Sequence, residues 1–271
     1  MRRIVVTVVA SAAGALGLVA CRPATVQLAF APRPGAVYRF AVHVQSKSTT
    51  RLSGQPPRTR TDDVQLEAVD TVLSTTGSGS RLRVDVSRRS TAVASYLVRL
   101  DRQASLVGID TVNGEPAAQL SNDLGGLELQ YLLPAAVGAP ANRSLQSGDR
   151  WRLEEPFAVP NVAPTRLLER GRLDRFGVLH GRRVAVTTTA GTLDVVPLPQ
   201  ASGTGQVGLR GREHTTTSVT RDVLDGSIER SSAVTNGLFD IILVSTTGPN
   251  GAPLVTGQLT LEVRSTTSRL D

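Results

Sequence analysis

The sequence contains 271 residues with a formal net charge of +7, and aromatic residues make up only 3% of it. Its single cysteine excludes an intramolecular disulfide, so the fold must be held together by burial of apolar side chains. Of the 30 basic residues only Lys47 is a lysine, and the arginines are dispersed among acidic residues. This distribution favours solvated strand faces over a nucleic-acid site, which gathers basic residues on one surface.

The first 20 residues have the organisation of a secretory signal. Arg2 and Arg3 form a short basic start, and residues 4–19 carry no charge and are rich in alanine, glycine and valine. A transmembrane helix needs about 20 predominantly apolar residues, so this shorter stretch favours a cleaved signal peptide.

The signal ends in Leu18-Val19-Ala20-Cys21, which resembles the lipobox of bacterial lipoproteins. The resemblance implies cleavage between Ala20 and Cys21, a diacylglyceryl thioether on Cys21 and, in many species, a further acyl chain such as palmitate on the new N-terminus. Two or more chains anchor a protein stably, whereas one chain binds marginally. The alternative is an ordinary secretory signal whose cysteine is incidental, but the position and uniqueness of Cys21 favour lipidation.

The same resemblance implies a location in the cell envelope. Residue 22 is Arg22 and not the aspartate associated with retention in the inner membrane. In an organism with an outer membrane we therefore expect the protein there, facing the periplasm. In an organism with a single membrane, the anchor would hold the protein on its outer face.

After the signal, residues 21–35 are predicted to form a short tether and residues 36–271 a single β-rich domain. The domain opens with apolar residues at every second position, which is typical of a strand with one buried face. These residues are Tyr38, Phe40, Val42 and Val44. Similar alternation recurs to the end of the chain. It predicts a mainly β fold, with long antiparallel strands in a curved sheet or half-barrel.

Two-residue turn signals separate several of the predicted strands. Asn113-Gly114, Asp225-Gly226 and Asn236-Gly237 are dipeptides that favour tight hairpins. Gly77-Ser78-Gly79 and Gly203-Thr204-Gly205 precede similar strand patterns. Two similar halves, split near residues 134–148, therefore stand as an alternative to a domain without repeats.

The periodicity changes between about residues 116 and 133, where the spacing predicts one helix packed on the sheet. Pro116 suits a first helical turn and Pro134 a stop. Gly125-Gly126 weakens the helix by about 1 kcal/mol per glycine, so it should depend on packing. Its apolar stripe consists of Leu120, Leu124, Leu127 and Tyr131.

The helical stripe and the sole tryptophan, Trp151, are the candidates for contact with an apolar ligand. Both also have a structural explanation. An amphipathic stripe usually packs on a sheet, and a tryptophan that follows a tight turn at Gly148-Asp149 is usually a core anchor.

The sequence contains no compelling pattern of catalytic or metal-binding residues. His43, His180 and His214 are far apart along the chain and lie at no ligand spacing. Residues 203–208 match a dinucleotide-binding fingerprint, but the strand before it and the helix after it, which such a site needs, are not predicted. We therefore expect a non-enzymatic protein without a metal or cofactor.

Two roles are compatible with these features. Long antiparallel strands, one amphipathic helix and a lipid anchor resemble the half-barrel lipoproteins that carry lipids or lipoproteins across the periplasm or cell wall. The resemblance implies binding or carriage of an apolar ligand, with the membrane as partner through Cys21 and no nucleic acid. The alternative is a structural or interaction scaffold of the envelope. A carrier should enclose an apolar cavity of roughly several hundred Å³.

Overall fold

The protein was examined as a computed structural model, which describes residues 25–89, 91–117, 138–157, 165–196, 206–244 and 253–270. These ranges contain the following strands: β1 (Thr25–Gln27), β2 (Val37–Leu52), β3 (Arg58–Thr75), β4 (Gly79–Arg88), β5 (Thr91–Asp101), β6 (Leu106–Val112), β7 (Glu115–Pro116), β8 (Ser144–Gln146), β9 (Arg150–Phe157), β10 (Thr165–Leu179), β11 (Arg182–Val195), β12 (Gln206–Asp222), β13 (Ile228–Val244) and β14 (Pro253–Leu270). The prediction of a mainly β fold with long antiparallel strands is confirmed.

Twelve of the strands form one antiparallel sheet in the order β7-β6-β5-β4-β3-β2-β14-β13-β12-β11-β10-β9. Two meanders of six strands are therefore joined where β2 pairs with β14. The remaining strands, β1 and β8, form a separate two-stranded ribbon. The change of meander falls near the predicted boundary at residues 134–148, and an internal repeat stays a prediction.

The predicted helix lies almost entirely outside the described residues, which stop at 117 and resume at 138. Pro116, expected in the first helical turn, instead pairs with Thr111 as part of β7. Within the described ranges, no helix is long and apolar enough to cross a membrane.

The sheet is rolled, because strands that are far apart in the strand order are in direct contact. Gln103, in the turn after β5, accepts a hydrogen bond at its carbonyl from Arg221 Nη2 of β12, at 3.4 Å. β5 and β12 are six positions apart in the strand order, so a flat sheet would separate them by about 29 Å. The end of the sheet that holds this contact is called the closed end, and the opposite end the open end.

The segment between β1 and β2 crosses the closed end from one meander to the other. Phe30 N–H donates to the carbonyl of Arg102 (2.7 Å), and Ala31 N–H donates to the carbonyl of Asp225 (2.8 Å). Leu28 and Phe30 are buried in the clusters of the C-terminal and N-terminal meanders, respectively. The segment therefore fastens the two meanders together.

A predicted turn dipeptide forms a turn where the segments on its two sides pair with each other as separate strands. Asn113 (φ 52°) and Gly114 (φ 87°) form the predicted tight turn between β6 and β7. The prediction of a turn at Asn236-Gly237 is wrong, because both residues lie inside β13, where they pair with His214 and Glu213 of β12. Pairing on both sides, with β12 and β14, keeps this segment extended.

Candidate functional site

The concave face of the sheet has two walls of different chemistry. The N-terminal wall, formed by β2–β6, is almost wholly apolar because alternate residues of each strand point inward. Its buried side chains are Tyr38, Phe40, Val42, Val44, Leu66, Ala68, Val72, Leu82, Val84, Val86, Tyr96, Val98, Leu100 and Val112.

The C-terminal wall, formed by β10–β14, carries a band of buried hydroxyl groups at mid-height, called the hydroxyl layer. Thr215 and Thr235 are cross-strand partners whose hydroxyl oxygens lie 2.8 Å apart. The layer spans four neighbouring strands. Its buried members are Thr187, Thr189, Thr215, Thr217, Ser231, Ser265 and Thr267, and the half-buried Thr235 completes it. One wall is thus apolar, whereas the other offers hydrogen-bonding groups.

Toward the open end, the C-terminal wall becomes apolar again. Leu209, Leu259 and Leu261 are only partly buried there, so they keep some surface that neighbouring side chains do not cover. This open-end layer forms a cluster separate from the N-terminal wall, and it consists of Leu167, Leu193, Val195, Leu209, Phe239, Leu259 and Leu261.

An open depression of about 530 Å³ lies where the ends of β2, β13 and β14 meet, and no residue of the open-end layer lines it. Three of its lining residues, Arg51, Asp240 and Gln258, are cross-strand partners exposed on the convex face. Its lining combines Leu52 and Ile241 with polar residues such as Asp240 and Gln258. It is a shallow groove on the rim of the sheet and not an enclosed chamber of the kind expected for a carrier.

Glu213 places a carboxyl between the hydroxyl layer and the open-end layer. Burial raises its pKa above the ordinary value, and a hydrogen bond from Thr215 Oγ1 (3.4 Å) acts in the opposite direction. Its strand partners Leu193 and Gly237 offer no charge.

Asp70 is the corresponding carboxyl of the N-terminal wall. It is partly buried, pairs in register with Tyr38 and Val84, and shares the inward face of β3 with Ala68. Burial raises its pKa from 3.8 to about 7, and the nearby charge of Asp85 adds to the rise.

The closed end is stabilised by charged groups inside the fold. The Arg221 side chain is fully buried; its Nη1 donates to the carbonyl of Gly226 (3.2 Å), and the carboxylates of Glu169 and Asp101 are close enough to favour its charge. Burial is the larger effect and lowers the pKa of Arg221 to about 10. Gly138 lies against Glu169, since a Cβ there would be 2.7 Å from Glu169 Oε2.

A second polar cluster joins β2 to β13 and β14. Tyr38 Oη donates to Asp225 Oδ2 (2.8 Å), and the Arg269 guanidinium lies over the Tyr38 ring, 4.7 Å from its centroid. Arg269 and Arg182 both donate to Glu229 Oε1, at 2.7 and 3.0 Å. Burial and the hydrogen bond to Asp225 raise the pKa of Tyr38, so its hydroxyl stays protonated and donates.

The convex face, in contrast, carries exposed ion pairs. Arg81 and Arg99 both contact Asp110, at 2.9 and 3.0 Å, and Arg212 contacts Asp194 at 2.6 Å. His43 belongs to this face, where its Nε2 lies 2.8 Å from Asp63 Oδ1. This face is therefore built for contact with water.

The structure brings only one of the sequence-predicted ligand candidates into view. Leu120, Leu124, Leu127 and Tyr131 lie outside the described residues, as do Ala20 and Cys21. Trp151 is buried in a closed-end cluster with Leu28 and Leu145, far from the open-end layer along its strand. That position matches the core-anchor explanation of Trp151.

Sequence reasoning missed the inward-facing charged residues. Glu169 and Arg221 lie two residues after the inward-facing Leu167 and Val219, so their side chains also point inward. Each is a charged residue at a position where the alternation otherwise places an apolar or hydroxyl side chain. That interruption was the available signal. In the described part of the chain, no group of three His, Cys, Asp or Glu side chains is placed to hold a metal ion.

No protein-family model matches the sequence, and no curated protein matches it. Among solved structures, the chain is similar to OmpTdeltaL8 (a loop L8 deletion mutant of OmpT), an outer membrane protein of Vibrio cholerae, with 8% identity over 88% of this chain and 100% of that chain. The TM-score is 0.20, which is too low to support an argument about fold or function.

Proposed function

We propose that this chain is a lipid-anchored protein of the bacterial cell envelope whose rolled sheet binds an apolar ligand at its open end. The anchor is the acylated Cys21, and the location is the outer membrane, facing the periplasm, where the organism has one. The proposed role is binding of the ligand on an open surface, not catalysis.

The observation that carries the ligand proposal is the open-end layer. Domains usually have one contiguous apolar core with smaller satellite clusters, whose side chains are covered by their neighbours. Here Leu209, Leu259 and Leu261 belong to a third apolar cluster, and each of these three side chains remains partly exposed. An acyl chain lying across these leucines would bury surface that otherwise faces water, at about 25 cal/mol per Å².

The ligand proposal is tested with a matched pair of substitutions on neighbouring strands. Leu261 points inward and pairs with Gly237, whereas Leu238, the next residue of β13, points outward and is 56% exposed. Leu261→Arg places a charge in the open-end layer, and Leu238→Arg places the same charge on the convex face.

We expect a fluorescent fatty acid to bind the parent and Leu238→Arg with equal affinity, and Leu261→Arg at least about tenfold more weakly, which corresponds to 1.4 kcal/mol. Leu209→Ser, which removes apolar surface without adding charge, repeats the test if Leu261→Arg does not fold. Absence of saturable binding by the folded parent would contradict the proposal and favour the scaffold alternative.

The anchor is tested independently of the ligand. Cys21→Ala removes the thiol that accepts the diacylglyceryl group, so labelling with radioactive palmitate should disappear and the protein should leave the membrane fraction or accumulate as the uncleaved precursor. Ser11→Ala, within the signal, serves as the control and should leave labelling intact. Undiminished labelling of Cys21→Ala would exclude this anchor.

A further inference from the structure

Exposed apolar side chains concentrate at the closed end of the sheet. Among the described residues, seven of the twelve large apolar side chains that are exposed lie in the turns or last few strand residues at this end. Leu224 and Val178 are the most exposed of all, at 83% and 72%. The seven are Val37, Leu73, Leu106, Val107, Val178, Leu224 and Leu270.

Exposed arginines accompany these side chains. Leu270 pairs across the strands with Arg39, and Val178 pairs with Arg183. Arg33 and Arg175 are also exposed at this end. Within the described ranges, these four arginines have no ion-pair partner.

Four acidic groups at the same end point into the fold or into their own turns. Asp225 accepts the hydroxyl of Tyr38, and Glu229 is buried between two arginines. Asp101 accepts hydrogen bonds from two backbone N–H groups of its own turn, and Asp222 caps the turn at Leu224. The outward charge of the closed end is therefore basic, mixed with apolar side chains.

The first described residues lie at the same end. β1 begins at Thr25, and Phe30 and Ala31 donate hydrogen bonds to the closed-end turns. Only three residues, 22–24, separate Cys21 from β1, and the four backbone steps from Cys21 to Thr25 span at most about 14 Å when extended.

We infer that the closed end is a membrane-contact surface for an anionic leaflet, formed by these seven apolar side chains together with Arg33, Arg39, Arg175 and Arg183. The inference builds on the proposed lipid at Cys21, which would hold this surface against the bilayer. Apolar side chains beside arginines suit the boundary between headgroups and acyl chains. A basic residue near an anionic leaflet strengthens binding about fivefold. The open-end layer then faces away from the anchoring membrane.

The surface is tested without the lipid, so that its failure is distinct from failure of the anchor. The mature chain carrying Cys21→Ser is floated with vesicles of phosphatidylcholine alone or mixed with phosphatidylglycerol. We expect binding to the mixed vesicles that falls with added salt.

Two double variants provide the matched comparison. Arg39→Gln with Arg183→Gln should weaken binding to the mixed vesicles about 25-fold, two arginines at about fivefold each. Arg58→Gln with Arg88→Gln removes two exposed arginines of the open end and should change binding less than twofold. Leu224→Ser, at a side chain that supports no core contact, should weaken binding to mixed vesicles while leaving thermal unfolding unchanged.

Equal losses for the two double variants would overturn the inference, because binding would then follow net charge and not this surface. Absence of vesicle binding by the parent would overturn it as well. Neither result would affect the palmitate-labelling test of Cys21 or the fatty-acid test of the open-end layer.

Discussion

Asp70 places a carboxyl on the apolar N-terminal wall, and its raised pKa makes the stability of the fold depend on pH. The pKa rises from 3.8 to about 7 because the charged form is buried. The contribution of Asp70 to stability is therefore full below about pH 4 and is lost as the pH rises from 4 through 7, above which the folded protein must hold a charged carboxylate.

Asp70→Asn removes that charge and should be more stable than the parent at pH 8 by about 2–4 kcal/mol, with the difference shrinking toward pH 4. Urea unfolding at several pH values measures it. Asp63, on the convex face, is the control, because its pKa is shifted in the opposite direction. Hydrogen bonds from Gln45 and His43 lower its pKa, so Asp63→Asn should lose its effect as the pH falls. A constant difference for Asp70→Asn across the range would show that the carboxyl does not titrate in this window.

Gly171 is required by the tryptophan that lies on it. A Cβ at Gly171 would overlap the Trp151 indole, with which it pairs across β9 and β10. Gly171→Ala should therefore cost about 1–3 kcal/mol and shift the fluorescence of the sole tryptophan to longer wavelength. Gly177→Ala, in the same strand, meets Val184 Cγ2 at an ordinary 3.6 Å and should change neither quantity. An unshifted spectrum for Gly171→Ala would mean that the indole packs elsewhere.

At the scale of elements, the segment between β1 and β2 keeps the sheet rolled. Phe30 is buried in the N-terminal wall, and its N–H and that of Ala31 bond to turns of opposite meanders. Phe30→Ala should destabilise the protein by about 3–5 kcal/mol. Amide exchange should accelerate first at Asp222–Ser227, because the segment holds that turn. Leu238→Ala, on the exposed convex face, should change neither the stability of the protein nor the amide exchange of Asp222–Ser227. Uniform acceleration across both meanders would instead mean that the roll opens only on global unfolding.

Strands were predictable from sequence where one face is apolar, as in β2, because alternation is a local property of the chain. A curved sheet or half-barrel was expected, but the contacts that roll it were not predictable, since they join residues such as Gln103 and Arg221, more than a hundred positions apart. Asn236-Gly237 misled for the same reason: its dipeptide favours a turn locally, whereas pairing with β12 and β14 holds it extended. The partly buried leucines of the open-end layer were likewise not predictable as a site, because the layer forms only when β10–β14 lie side by side.

At the scale of the whole molecule, we propose that the two ends of the sheet bind different partners. The closed end is sealed by buried charges and by the segment after β1, and it carries the exposed apolar and basic groups that we assign to the membrane. The open end carries the partly covered leucines that we assign to the ligand. A ligand would therefore enter and leave on the side away from the anchoring bilayer.

Native mass spectrometry of residues 21–271 carrying Cys21→Ser, exported behind an ordinary cleaved signal peptide so that no anchor is present, tests the central claim most directly. We predict a folded protein that carries a bound lipid, lost in Leu261→Arg and retained in Leu238→Arg. A folded parent that is free of ligand in every preparation, and takes up none when lipid is added, would contradict binding at the open end.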